Sequence, residues 1–267
     1  MTARNLSDLY FSQSALAIFN KCRRKFRYRY LDGLYWPSEW GMKEEFKEDI
    51  ERGRKFHLLA ERYYNKSIAD TVLKDNDQLQ AWFMRLKKYC PFNENIIAAE
   101  QEIRFKEKEL KFLAKYDLLA YNSNNKSISI YDWKTDQKSL YQKDIKKSIQ
   151  SRFYLYLMFE AGYQYFADSY DLEGMPTLIY WNPRYPKEEI SINYDQAKYQ
   201  RDSDFFKALL QAILTEEEFA LTEDLNLCRF CEYRPICRSK KPEGRELVEE
   251  DLDLDLDWEA VEEMEFL

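Results

Sequence analysis

The chain has 267 residues, of which 45% are hydrophobic and 16% aromatic, enough to bury one sizeable core. It has no apolar run near twenty residues and no signal-peptide pattern, so we expect a cytoplasmic protein that neither crosses nor binds a membrane. The net charge of −7 is uneven: residues 243–267 carry −11 and the remaining 242 residues carry +4. The acidity therefore belongs to the tail and not to the part of the chain that is expected to fold.

The first predicted helix spans Gln13–Leu31, where basic residues are interleaved with Phe26, Tyr28 and Tyr30. Such a helix can follow a DNA strand, with cations on phosphates and rings on bases. It can equally be a solvated face packed by aromatics. The candidates for strand contact are Arg23, Arg24 and Arg27.

A long helical region is predicted over residues 42–69, and a further helix over Gln78–Tyr89. His57 is the only histidine of the chain and lies in the first of these. A single helical histidine is usually structural, so its position alone does not make it a metal ligand.

Three runs rich in β-forming residues follow, over Ile97–Phe105, Glu109–Tyr121 and Ser127–Lys134. Turn residues separate them, which predicts an antiparallel meander. Alternation along the last strand puts Asp132 and Lys134 on one face and Trp133 on the other. Asp117 can lie opposite Asp132, and two carboxylates side by side suit Mg²⁺ or Mn²⁺. A solvated, salt-bridged strand is the alternative for this pattern.

Downstream, helices are predicted over Asp144–Glu160 and Ala197–Thr215, and strands over Thr177–Trp181 and Ile190–Tyr194. The order predicts an α/β fold, with a mixed β-sheet flanked by helices. Gln150 and Tyr154 are four residues apart and share a helix face, which is also what ordinary packing on the sheet would require.

The ordered set of these residues resembles the RecB-like branch of the PD-(D/E)xK nuclease superfamily, over roughly residues 10–240. The matching positions are His57, Glu100, Asp117, Asp132-Trp133-Lys134 and Gln150 with Tyr154. The resemblance implies metal coordination by His57, Asp117, Asp132 and the Trp133 carbonyl. It implies a catalytic Lys134, with Gln150, Tyr154 and Glu100 in the site and Tyr154 also near DNA. Glu102 competes with Glu100, and Ala114 stands where the family usually has glycine.

Five cysteines form the second signal. Cys228 and Cys231 are three apart, Cys237 follows, and Cys22 lies in the first helix. In a reducing cytoplasm this spacing indicates a metal site and not disulfides. Four-cysteine Zn²⁺ is one reading. The one-plus-three layout resembles the iron–sulfur nucleases of the same branch, including AddB-type subunits and CRISPR-associated adaptation nucleases, which implies a structural [4Fe–4S] cluster.

These inferences predict an Mg²⁺- or Mn²⁺-dependent deoxyribonuclease acting on single-stranded or end-bearing DNA, in repair, recombination or CRISPR-type antiviral defence. The chain has no phosphate-binding loop of the G-x-x-x-x-G-K-[ST] type, so we expect that it does not unwind duplex DNA by itself and needs single-stranded, frayed or end-processed DNA, or a helicase partner. The resemblance also implies a CRISPR adaptation or effector protein as a partner. A non-catalytic DNA-binding scaffold and a restriction-type endonuclease are the alternatives.

The predicted organisation is one nuclease domain, residues 1–242, followed by an acidic tail, residues 243–267. Within the domain we expect a helical N-terminal part at 10–90, a nuclease core at 91–217 and a cysteine-rich segment at 218–242. The tail is expected to be disordered or to bind a partner, with plain solubilisation as the alternative.

Overall fold

A mixed β-sheet organises the chain in the computed structural model, which describes residues 6–34, 44–67, 77–107, 110–229 and 231–240. The strands run in the order β1-β3-β4-β5-β6, and β2 also pairs with β3. Their bounds are β1 Tyr10–Phe11, β2 Ile96–Glu107, β3 Leu110–Asn122, β4 Ser127–Trp133, β5 Thr177–Trp181 and β6 Glu189–Asn193. The predicted acidic tail, residues 243–267, lies outside the described residues.

The helices begin and end close to the predicted positions, with two differences. Their bounds are α1 Gln13–Lys21, α2 Arg23–Phe26, α3 Glu44–Tyr64, α4 Asp77–Tyr89, α5 Gln142–Lys147, α6 Ile149–Leu157, α7 Tyr163–Phe166, α8 Gln196–Leu214, α9 Leu225–Cys228 and α10 Arg234–Arg238. The predicted first helix is interrupted at Cys22, and a π-helical turn, Arg27–Leu31, follows α2. The predicted helix over Asp144–Glu160 is split at Ser148, whose side chain accepts the backbone N–H of Ser151 and begins α6.

Strand pairing combines both directions. β3 and β4 are antiparallel, with Leu118 opposite Tyr131, and β4 and β5 are parallel, with Asp132 opposite Tyr180. β1 pairs in parallel with the beginning of β3, and β5 pairs antiparallel with β6. The predicted fold class, a mixed sheet flanked by helices, is confirmed.

The chain divides into two compact units. The first unit comprises residues 1–47, 106–112 and 206–267, and the second comprises residues 48–105 and 113–205. In the first unit the Phe26 ring stacks on Phe11 and Phe219 and meets Phe19 edge to face, which forms an aromatic core. The single domain predicted for residues 1–242 stays a prediction.

In the second unit, helices α3 and α4 cover one face of the sheet. Trp133 and Trp181 are fully buried among side chains of these helices, including Phe56 and Trp82. Tyr180 precedes Trp181 and bonds Ser151 of α6 at 2.9 Å. Because successive strand residues point to opposite faces, α6 lies on the other face of the sheet. Within the described residues, no helix is long and apolar enough to span a membrane.

Candidate functional site

Three segments of the second unit bring their polar side chains to one place. His57 comes from α3, Glu100 from β2 and Asp117 from β3. One ligand atom from each lies within 4.8 Å of the other two, so that among the described residues this group could hold a metal ion. Two carboxylates and an imidazole fit a hard divalent cation such as Mn²⁺ or Mg²⁺.

Glu100 reaches this place through a distorted strand. Its φ is 51°, in the left-handed region that a glutamate rarely occupies, although it lies inside β2. Such a conformation costs of order 1 kcal/mol and persists where the surroundings hold it. The Lys115 ammonium, 3.1 Å from the Glu100 carboxylate, is one such contact.

Asp117 is oriented by both of its oxygens. Oδ2 accepts the backbone N–H of Trp133 at 2.6 Å, and Oδ1 lies 3.5 Å from Nδ1 of His57. Ala114, at the position where a glycine was expected, is buried in β3, and the chain still brings Asp117 to the site.

The charges of this group are strongly coupled. Burial would lower the pKa of His57, but the Asp117 carboxylate outweighs it, with help from Glu100 and Asp132, and raises that pKa to about 9. Burial, together with the neighbouring Asp117 charge, raises the pKa of Glu100 to about 7. Burial opposes ionisation of Asp117 as well, yet His57, the Trp133 amide and Lys134 hold its pKa below the usual value. A cation bound between carboxylates this close together would offset their mutual repulsion.

Asp132, Lys134 and Gln150 form a second group, closed by three contacts. The Lys134 ammonium lies 2.9 Å from Oδ2 of Asp132 and donates to Oε1 of Gln150 at 3.1 Å. The Gln150 amide donates to Oδ1 of Asp132 at 3.0 Å. Asp132 is only 4% exposed; the Lys134 ammonium compensates its buried charge, and the Gln150 amide adds a hydrogen bond.

The structure brings most of the predicted site residues together, in a different grouping. Glu100, predicted as catalytic, joins His57 and Asp117, while Asp132, predicted as a metal ligand, contacts Lys134 and Gln150. The competing Glu102 pairs with Arg104 instead. The metal roles of Asp132 and of the Trp133 carbonyl stay predictions.

Tyr154 is buried, with its ring 5.0 Å from that of Tyr116, whose hydroxyl donates to the Tyr154 carbonyl. This places Tyr154 in the packing between α6 and β3. Its predicted contact with DNA is not tested.

Two features that position the site have only weak sequence signals. A Cβ added at Gly53, one turn before His57, would lie 2.6 Å from Oγ1 of Thr135, so α3 approaches the residue after Lys134 closely. Arg184 donates to the Thr135 carbonyl at 2.8 Å and lies 3.2 Å from Asp49. A glycine inside a charged helix was the available signal for the first; the sequence carries none for Arg184.

The four cysteines of the predicted cluster all belong to the first unit. Cys22 separates α1 from α2, Cys228 ends α9, Cys231 follows and Cys237 lies in α10. Burial raises the pKa of Cys237, and the nearby thiols of Cys22 and Cys228 raise it further. The described thiols do not form a group of three within 4.8 Å.

The segments that carry these cysteines are joined by specific contacts. Lys25 pairs with Glu232 at 3.0 Å, and the rings of Tyr28 and Tyr233 lie 5.6 Å apart. Tyr233 is fully buried and donates to the Leu34 carbonyl at 2.6 Å.

The arginines predicted to contact DNA are engaged within the first unit. Arg23 pairs with Glu216 at 2.7 Å and lies over the Phe19 ring. Arg27 lies 3.4 Å from Asp32, and the Arg24 guanidinium lies 5.9 Å from the Tyr28 ring centre. Their DNA contacts stay predictions.

Comparison with known proteins gives one family. The model of the PD-(D/E)XK nuclease superfamily matches residues 10–238. A crystal structure titled "Putative exonuclease", from Eubacterium rectale, is similar with a TM-score of 0.52 and 14% identity, covering 91% of this chain and 92% of that one. The crystal structure of SSO0001 has 19% identity over 87% of each chain, and its TM-score of 0.37 is too low to indicate a shared fold. No curated protein sequence matches the chain.

Proposed function

Since the chain belongs to the PD-(D/E)XK nuclease superfamily, we propose that it is an Mg²⁺- or Mn²⁺-dependent deoxyribonuclease. The observation that carries the proposal is the group His57, Glu100 and Asp117, with ligand atoms within 4.8 Å of one another. An adjoining lysine–aspartate pair, Lys134 and Asp132, adds a cation beside the carboxylates.

The proposed ligands of the divalent ion are His57, Glu100 and Asp117, with Asp132 and the Trp133 carbonyl beside them. A bound ion would supply Lewis-acid polarisation of the scissile phosphate and lower the pKa of an attacking water. The donor set fits this task, because hard oxygen ligands and one imidazole leave room for phosphate oxygens.

The protein's own groups would then orient and stabilise the reacting atoms. The Lys134 ammonium, held by Asp132 and Gln150, can donate to the phosphate oxygen that gains charge in the transition state. Its position is fixed before substrate arrives, which lowers the cost of reorganisation. Gln150 accepts from Lys134 and donates to Oδ1 of Asp132, while Lys134 itself contacts Oδ2 of Asp132.

The proposed substrate is single-stranded or end-bearing DNA, cleaved as an exonuclease would cleave it. The similar structure from Eubacterium rectale is described as a putative exonuclease, and what it shares with this chain is the fold. A helicase or a CRISPR adaptation or effector protein remains the proposed partner, in DNA repair or antiviral defence. Attachment through the acidic tail falls on residues outside the described ones.

We also propose that Cys22, Cys228, Cys231 and Cys237 hold a structural [4Fe–4S] cluster, as in RecB-like nucleases, with Zn²⁺ as the alternative. Two contacts support this: the Tyr28 ring lies beside the Tyr233 ring, and Lys25 pairs with Glu232. Both join the segment that carries Cys22 to the segment that carries the other three cysteines. Anaerobically purified protein with a broad visible absorbance band would indicate iron–sulfur, whereas colourless protein containing zinc would contradict it.

The nuclease proposal is tested by cleavage of end-labelled single-stranded and duplex DNA with Mg²⁺ or Mn²⁺. Lys134→Ala should lower the cleavage rate by at least about 100-fold, because it removes charge stabilisation from the transition state. Lys88→Ala, at an exposed position on α4, is the matched control and should cleave normally. Thermal melts of both variants separate loss of chemistry from loss of folding. Cleavage that survives in Lys134→Ala would reject the assigned site.

A further inference from the structure

The chain segment between Lys134 and Gln150 forms a loop at the candidate active site, because the side chains of these two residues are hydrogen-bonded to each other. Residues 135–149 leave Lys134 and return to Gln150, and the two side chains that bound the loop are 3.1 Å apart. A residue in the middle of the loop can therefore lie no more than about 25 Å from Lys134. Any ligand bound by this loop is held beside the reacting groups.

The loop backbone is held in place by side chains from elsewhere in the second unit. Arg184 bonds the Thr135 carbonyl, Asn182 donates to the Asp136 carbonyl at 3.0 Å, and Tyr185 donates to the Gln137 carbonyl. At the other end, Ser151 donates to the Ile145 carbonyl at 2.6 Å. The loop thus has a defined path and does not need to order when a ligand binds.

The outer surface of this loop is basic and aromatic. Residues 138–147 carry four lysines and one aspartate, a net charge of +3, which is most of the +4 carried by residues 1–242. The four lysines, all exposed, are Lys138, Lys143, Lys146 and Lys147. None of them has an ion-pair partner among the described residues.

Tyr141 adds an aromatic ring to the same surface. It is 66% exposed, the most exposed aromatic side chain among the described residues. Exposing a ring of this size has no benefit for the fold, whereas an exposed ring next to cations is the arrangement that stacks an unpaired base and binds its phosphates. Bases of a duplex are already stacked on each other and cannot use such a ring.

We propose that residues 138–147 form the surface that binds single-stranded DNA next to the active site. Tyr141 stacks a base, and Lys143, Lys146 and Lys147 contact the phosphates that flank it. This inference rests on the proposed nuclease function, and it deepens that function by assigning the strand form of the substrate to a particular surface.

The first experiment measures binding of a fluorescent single-stranded oligonucleotide by anisotropy, in EDTA, so that no cleavage occurs. The double variant Lys146→Ala, Lys147→Ala should weaken binding about tenfold and reduce the slope of log affinity against log salt by roughly 1.4, the value for two lost phosphate contacts. The matched control changes two other exposed lysines, Lys88→Ala and Lys207→Ala. Equal affinity and slope in the two double variants would overturn the inference.

The second experiment tests the stacking role. Tyr141→Ala should weaken single-strand binding about tenfold and leave duplex binding unchanged, because only an unpaired base can stack on the ring. Tyr165→Ala is the control, since Tyr165 is also exposed, at 55%, but lies on α7. Equal losses for single strands and duplexes would contradict base stacking.

The two proposals fail in different ways. Wild-type protein that cleaves DNA with Mn²⁺, while the loop variants bind normally, would leave the nuclease function intact and reject this surface. Wild-type protein that binds single strands through the loop, but cleaves nothing, would reject the nuclease function and keep the surface.

Discussion

Glu100 combines a strained backbone with a crowded charge. Its left-handed φ of 51° interrupts the alternation of β2, and its carboxylate lies beside that of Asp117. Both features cost free energy in the metal-free protein, and the proposed cation between the carboxylates would compensate that cost. At this residue, stability has been exchanged for the geometry of the site.

Replacing Glu100 by glutamine should separate the two effects. Glu100→Gln removes the charge that repels Asp117, so the metal-free protein should be no less stable than wild type, while Mn²⁺ affinity falls at least tenfold. Wild type gains about 2.7 kcal/mol at a Mn²⁺ concentration 100 times its Kd, and the variant should gain at least about 1.3 kcal/mol less there. Denaturant unfolding with and without Mn²⁺ measures both quantities.

Glu102→Gln is the control for this variant, because Glu102 lies two residues along the same strand and pairs with Arg104. It should keep the full Mn²⁺ stabilisation. If the two variants lose the same stabilisation, Glu100 has no particular role at the ion.

The choice between Glu100 and Glu102 marks the limit of sequence-based prediction at this scale. Alternation puts both on one face of an ideal strand. The structure separates them through the left-handed conformation of Glu100, which depends on tertiary contacts and has no signature in the local sequence. Asp132, by contrast, lies in a regular strand that ends at Trp133, directly before Lys134, and the prediction that Trp133 points to the opposite layer is confirmed.

At the scale of elements, the approach of α3 to the end of β4 sets the distance between His57 and the sheet. Gly53 allows that approach, since an added Cβ would lie 2.6 Å from Oγ1 of Thr135. Glycine inside a helix costs about 1 kcal/mol relative to alanine, so a glycine here is unfavourable for the helix itself. The close packing explains why it is present.

Gly53→Ala should therefore destabilise the protein by about 1–3 kcal/mol and weaken Mn²⁺ binding, because α3 must move away with His57. Adding Thr135→Ala removes the oxygen that clashes, and the next atom, Cβ of residue 135, lies at an ordinary 3.7 Å. The double variant should recover both properties. Thermal melts and Mn²⁺ titration of the two single variants and the double variant give the comparison; a stable, Mn²⁺-binding Gly53→Ala protein would contradict it.

The bounds of strands and helices show where local sequence signals were sufficient to predict secondary structure. The strand Thr177–Trp181 matches its prediction, because β-branched and aromatic residues there agree with the core environment. The interruption at Ser148 had a signal, a serine that caps the next helix, whereas the interruption at Cys22 occurs within a run that continues the helical pattern. Helix propensity does not predict that interruption, which lies beside long-range contacts such as the ion pair of Lys25 with Glu232.

For the whole molecule, the proposed cysteine cluster connects parts of the chain that are far apart in sequence. A link from Cys22 to Cys228 would lower the conformational entropy of the unfolded chain, and loop closure alone would raise the free energy of unfolding by about 5 kcal/mol. Cys22→Ala should therefore lower both bound iron and the unfolding midpoint, with activity falling as the fold is lost. Iron analysis and thermal unfolding of anaerobically purified protein measure these changes.

Cys90→Ala is the comparison for that variant. Cys90 is buried in the core of the second unit, outside the four predicted ligands. It should keep all of the iron and lose only the packing of one small side chain. If Cys22→Ala retains iron and melts like wild type, the cluster does not depend on the N-terminal segment.

The architecture was the most predictable level, because hydrophobic patterns and turn residues mark the strands and helices along most of the chain and these signals agree with one another. The proposed cysteine site stays a prediction, and spacing alone does not give its arrangement, because Cys22 precedes Cys228 by more than two hundred residues.

The two oxygens of Asp117 have separate partners, and this limits how the site can hold an ion. One oxygen accepts the Trp133 amide, so the carboxylate can offer a single atom on the side of His57. An octahedral ion has six positions, and the group His57, Glu100 and Asp117 would fill half of them if each gave one atom. The remaining positions would then be left for water and substrate oxygens, so the backbone amide of Trp133 would help to keep the coordination shell open.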